Sequence, residues 1–332
     1  MPQKKHSRLK IIIDVVMSAL MIAASLFLVL NRQYVLDQIN VWSFKPSDSI
    51  IALENRSGMN SYGKFLFLAS HPLIDGTQSF NNECEKAENT VSILGCYNGS
   101  RIYVYDVTSS DLDGIKEVTS AHEMLHAAYD RLSSNEKNQL QPLLEAEYEK
   151  LESNKDYADR MDFYSRTEPG EKYNELHSVI GTEVSDIDPK LETYYKRYFS
   201  NRSNCTTFYK KYSDVFRSLK DKANALLNEL NSLNTSINAD LSTYNSTLSQ
   251  LNADISSFNR LASSGYFESQ TEFNKAKSLL EARISKLEST RATINSSIEK
   301  YNSLLAEYNS NAAESNKLYD SIDSSLAPAP SL

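Results

Sequence analysis

The hydrophobic pattern divides the chain into three regimes. From Ile11 to Leu30 the positions are overwhelmingly apolar, with Asp14 as the single charge, and about 20 such residues make a helix long enough to cross a bilayer core. Between Ser49 and Phe199 the apolar residues come in short clusters. From Leu219 onward they settle into steps of three and four, through Leu226, Leu230, Leu233, Ile237, Leu241, Tyr244, Leu248, Leu251, Ile255 and Phe258. After a break at Ala262-Ser263-Ser264-Gly265 a second seam runs through Phe273, Leu280, Ile284, Leu287, Ile294, Ile298, Tyr301, Leu305 and Tyr308. Such spacing puts one apolar face along a long helix. Two seams around a break predict an antiparallel α-helical coiled-coil hairpin over 212–322, each arm of about 45 residues reaching on the order of 70 Å. The frequent Asn, Ser and Thr lower helix propensity, so the arms depend on pairing for order. Residues 323–332, with Pro328 and Pro330, read as a flexible tail.

The middle regime predicts an α+β domain over 49–211. Ser49-Ile50-Ile51-Ala52-Leu53 and Lys64–Ala69 carry strand-forming residues around a turn. Val91–Tyr97 and Arg101–Val107 flank Asn98-Gly99-Ser100, a hairpin signal because Asn-Gly supplies the positive φ of a tight turn. Ser133-Ser134-Asn135-Glu136 caps a helix over Lys137–Leu151, Pro169 begins a second, and Asp188-Pro189-Lys190 a third, whose Tyr194, Tyr195 and Tyr198 form an aromatic core face. Residues 31–48 are a linker punctuated by Pro46.

Charge adds topology. Lys4, Lys5, Arg8 and Lys10 precede the apolar run and only Arg32 follows it closely, so residues 1–10 are a cytoplasmic tail, 11–30 a transmembrane helix, and the rest is extracytoplasmic. A cleaved signal peptide is the rival; the ending Leu28-Val29-Leu30-Asn31-Arg32 lacks a small-x-small cleavage site and favours an uncleaved anchor. The net charge of −8, without a basic cluster beyond the N-terminus, excludes nucleic acid as an expected partner. Outside the cytoplasm disulfides persist, and Cys84 and Cys96 are expected to pair, leaving Cys205 as a buried thiol or an intermolecular partner.

The chemistry concentrates in Ser120-Ala121-His122-Glu123-Met124-Leu125-His126. On a helix His122 and His126 lie one turn apart on one face and reach the same metal ion, with Glu123 beside them to hold a water. Ser120 reads as the residue preceding the helix. Histidine is scarce, five in the chain, so this spacing is informative.

These residues resemble the HExxH zinc metallopeptidases, the zincins. The resemblance implies Zn2+ on His122 and His126, Glu123 as general base, and peptide hydrolysis. A catalytic zinc needs a third protein ligand and one open position; in the gluzincin branch that ligand is a glutamate on a later helix. Glu175 fits best, following Asn174 and one turn before Ser178, and Glu183 is the alternative. His177 is a candidate to stabilise the oxyanion. The further Gly and His of metzincins are absent from Ala127–Leu132. In zincins a sheet edge beside the metal pairs with extended substrate, and Arg101–Val107 is the candidate edge, an interior strand being the other option.

The expectation is therefore a membrane-anchored extracytoplasmic zinc peptidase, with a zincin-like domain and a coiled coil available to an envelope protein or for self-association. The alternative is an anchored coiled-coil scaffold or regulator whose metal domain is structural or weakly active.

Overall fold

The computed structural model describes residues 4–84, 93–153, 157–159, 161–162, 166 and 170–324. Its order is α1 (Lys4–Leu30), α2 (Arg32–Ser43), α3 (Asp48–Arg56), α4 (Ser61–Ala69), β1 (Leu73–Asp75), α5 (Thr77–Glu83), β2 (Gly95–Tyr97) and β3 (Ile102–Tyr105). Then follow α6 (Ile115–Asp130), α7 (Ser134–Leu151), α8 (Lys172–Glu183), α9 (Pro189–Tyr195), α10 (Ser203–Ser263) and α11 (Gln270–Ile322). Helices dominate, and the chain divides into a unit of Met1–Val215 with Tyr319–Leu332 and a second of Phe216–Leu318.

Within α1, Lys10–Leu30 is long and apolar enough to cross a membrane or to act as a signal sequence. The linker expected over 31–48 instead carries α2. Its Asp37 is buried, and the Arg131 guanidinium just past α6 donates from Nε and Nη2 to both Asp37 oxygens at 2.8 and 2.7 Å and from Nη1 to Ala127 O at 2.6 Å. A buried charge pair needs such additional partners to offset its desolvation, and here the pair fastens α2 to the end of α6.

The strands expected at 49–53 and 64–69 are helices. A short apolar run does not distinguish the two by periodicity; capping decides. Ser47 Oγ accepts from Ile50 N at the start of α3, whose Ile50, Leu53 and Glu54 turn inward. Asn60 Oδ1 accepts from Tyr62 N and Gly63 N at the start of α4. A Cβ at Gly63 would stand 2.3 Å from Tyr198 O, so only glycine lets α4 approach that backbone.

Among the described residues the sheet has three strands in the order β1-β3-β2, with β1 parallel and β2 antiparallel to β3. The hairpin expected at Asn98-Gly99 is present, with Gly99 at φ 84°; of its first arm, residues 91–92 lie outside the described residues. The candidate edge within Arg101–Val107 is corrected, since β3 is central and, among the described residues, β2 is an edge. Ile102 and Val104 join the core with Ala121, Met124 and Leu125 of α6, while Tyr103 turns to Phe80 and Cys84 on the other face. There Cys84 and Cys96 form the expected disulfide. Cys205 is a free, buried thiol donating to Ser57 O, and burial pushes its pKa up to about 12.

The capping box at Ser133 and Glu136 starts α7, and Asp188 caps α9 through Lys190 N. Tyr195 and Tyr198 are fully buried, in agreement with their reading as core.

In the second unit α10 and α11 run antiparallel. Lys222 pairs with Glu307, Lys300 with Glu229 and Arg283 with Asp254, so partners rise on one helix as they fall on the other. Leu226, Leu230, Ile237, Leu251, Leu287 and Ile294 of the two seams are buried. Asn311 is also buried and donates to Leu219 O at 2.9 Å, a polar lock that disfavours register slip. Residues 325–332, read as a tail, lie outside the described residues.

Candidate metal centre

Helix α6 presents the histidines. It begins at Ile115 after Gly114, whose φ of 99° is a conformation glycine adopts at no steric cost. Ser120 is therefore interior and buried rather than preceding the helix. One face of α6 packs Ala121, Met124, Leu125 and Ala128 into the core, and the rings of His122 and His126, one turn apart, meet edge-on with centroids 4.8 Å apart.

Helix α8 supplies the carboxylate. It starts at Lys172, so Glu175 lies in its first turn, where the helix dipole favours a negative charge; Pro169 lies outside the described residues. Gly181 lies inside α8. A Cβ there would stand 2.4 Å from Leu125 Cδ1 and 2.8 Å from Tyr195 Cε1, so glycine sets how closely α8 and α6 pack. At the other end of α8 the buried Arg202 donates to Val184 O at 2.6 Å and Ser185 O at 3.0 Å and pairs with Glu192 at 2.6 Å. That cation satisfies carbonyls that a helix end leaves orphaned.

Together the two helices bring ligand atoms of His122, His126 and Glu175 within 4.8 Å of one another. Glu175 Oε2 is 3.8 Å from His122 Nε2, and Oε1 is 3.5 Å from His126 Nε2. Such separations exceed a strong charge-assisted hydrogen bond. They suit donors around one ion, because tetrahedral ligands at about 2.1 Å stand ~3.4 Å apart. The group could hold a metal ion. The His122 side chain keeps 15 % of its surface exposed, so the group reaches solvent on that side.

His126 is oriented from behind. Its Nδ1 lies 2.9 Å from Asn174 Oδ1, and Asn174 Nδ2 donates to Glu171 Oε2 at 2.9 Å. Because the Asn174 amide already spends its donor on Glu171, its oxygen accepts from Nδ1–H of His126. That leaves the Nε2 lone pair of His126 aimed at the shared position. Sequence inspection noted Asn174 only as the neighbour of Glu175; the bond depends on how α8 lies against α6. Replacing Asn174 by Ala is expected to weaken binding of a metal ion to this group about 10–100-fold with the fold retained, read with zinc as the probe by competition with a chromophoric chelator.

Glu123 is buried beneath β2. A Cβ at Gly95 would lie 2.8 Å from Glu123 Oε1 and 2.5 Å from Thr119 Cγ2, so glycine lets the edge strand pass directly over the carboxylate. Gly95 was not anticipated as part of the site, although a glycine within a strand commonly marks a close approach.

Two candidates fall elsewhere. Glu183 lies about two turns beyond Glu175 along α8 and is not among the three clustered residues. His177 is fully buried, its Nε2 3.0 Å from Tyr194 OH and its ring packed against Tyr129 and Tyr195. Burial pushes its pKa down to about 3. With no exposed face it cannot meet a substrate oxyanion, and its role is core. Comparison with known protein families, with curated proteins and with solved structures finds no match for this chain.

Proposed function

We propose that the chain is a membrane-anchored, extracytoplasmic zinc peptidase whose first unit is a zincin-like α+β domain. The observation that carries this reading is the convergence of Glu175 from α8 on His122 and His126 of α6, with Glu123 beside them under an edge strand. Two imidazoles and one carboxylate also suit iron. The adjacent buried Glu123 favours hydrolysis, in which a carboxylate beside the metal takes the proton of the attacking water.

His122, His126 and Glu175 would hold the ion. When bound, zinc lowers the pKa of a water towards neutrality and polarises the scissile carbonyl. Asn174 keeps His126 in the tautomer that ligates. Glu123 takes the proton of the attacking water and passes it to the leaving amine. β2 offers its outer backbone edge to an extended peptide, which Gly95 admits close to Glu123. The basic N-terminal tail supports a cytoplasmic N-terminus and, with it, an extracytoplasmic site.

The test is cleavage of internally quenched peptides by the full-length protein. Stripping with a chelator is expected to abolish cleavage and zinc to restore it. Zinc binding without cleavage of any peptide would instead favour the scaffold reading, in which the coiled coil is the working part.

A further inference from the structure

Helix α2 has two faces of opposite character. Asp37 is buried and held by Arg131. On the other side Leu36, Ile39 and Trp42 are exposed at 43, 50 and 77 %. At 100° per residue these three share an arc of about 120° with Arg32, roughly opposite Asp37. Asn31, with φ −112° and ψ 25°, interrupts the helix between α1 and α2. An apolar face with a tryptophan therefore begins immediately after the one helix among the described residues long and apolar enough to cross a membrane.

We infer that α2 is an interfacial helix whose Leu36, Ile39 and Trp42 rest in the headgroup region of the bilayer that α1 spans. The occupant of this face is lipid, because the face continues from the membrane-crossing segment and is held away from the protein core by the Asp37–Arg131 pair. Tryptophan prefers that boundary, having an apolar body and a polar N–H. Arg32, on the same arc, is placed to meet lipid phosphate. Arg131 directly follows α6, and His126 lies about 7 Å back along that helix. With one helix thickness between, the metal group stands on the order of 20 Å from the headgroups, within reach of membrane-proximal segments of other membrane proteins. The inference rests on the anchored reading of α1.

Trp42 is the only tryptophan in the chain, so emission reports this face alone. The experiment uses full-length protein in vesicles of phosphatidylcholine and phosphatidylglycerol, with some lipids brominated near the glycerol end of the acyl chain. The expected result is a blue-shifted emission and a roughly twofold loss of intensity from shallow bromines, consistent with a depth of 5–10 Å. The surface double substitution Leu36→Gln, Ile39→Gln should reduce that quenching. Protein that resists alkaline extraction but shows water-like, unquenched Trp42 emission would overturn the inference and leave the anchor standing. Protein released at alkaline pH would overturn both. Quenching unchanged in the double variant would show that α1 alone brings Trp42 to lipid, and would also overturn it.

Discussion

Replacing Glu123 by glutamine is expected to leave zinc bound and to lower kcat for peptide cleavage by about 10²–10⁴-fold, the usual contribution of a positioned acid–base group. The expectation follows from where the side chain sits. Glutamine has nearly the shape of glutamate, which matters because Gly95 passes within a few ångströms of the carboxylate and leaves little room to rearrange. The amide can still donate and accept hydrogen bonds but cannot take a proton from water. A loss of kcat with KM little changed is the signature of a group needed in the transition state. Metal content measured on the same sample separates this from loss of the ion. Full activity in Glu123→Gln would remove Glu123 from the mechanism.

Glu175→Gln is expected to act on the metal itself. A neutral amide replaces the carboxylate that faces both Nε2 atoms at 3.5 and 3.8 Å, leaving two imidazoles as ligands. Zinc affinity should fall by well over 100-fold, more than the roughly 10–100-fold that an outer partner such as Asn174 supplies. The control is Glu183→Gln, about two turns away on the same helix, which should bind zinc like the wild type. Chelator competition on the three proteins reads the outcome, with activity following affinity. If Glu183→Gln loses the metal and Glu175→Gln keeps it, the assignment is reversed. The Arg202 cap and the Gly181 contact with Leu125 hold α8 from outside the metal group, so neither substitution should loosen the helix pair.

How much of this was legible in the sequence depended on whether the signal was local. The HExxH spacing is fixed by one helical turn and needs no tertiary information. The seams of α10 and α11 repeat often enough to outweigh their poor helix formers. The Ser133 box and the Asn98-Gly99 turn carry their geometry in adjacent residues. The misreadings were short or relational. Ile50–Leu53 and Lys64–Ala69 are too brief for periodicity to separate strand from helix, and the capping by Ser47 and Asn60 was the overlooked clue. That β3 is central depends on β1, a three-residue strand with no distinct pattern. Glu175 ranked above Glu183 in the sequence, but only the packing of α8 on α6 brings it to the histidines. His177, polar and close to Glu175, looked available to substrate; burial among tyrosines was not visible from its neighbours. Gly95 and Asn174 belong to the site through contacts between elements distant in the chain; a glycine in a strand signals a close approach but not what approaches.

One titration tests the peptidase reading at its root. Zinc is added in steps to chelator-stripped full-length protein while cleavage of internally quenched peptides is followed. The expected result is no cleavage by the stripped protein, a rise in rate with added zinc, and a break at one zinc per chain. Cleavage that persists without metal would contradict the account, and so would a protein that takes up one zinc and cleaves nothing.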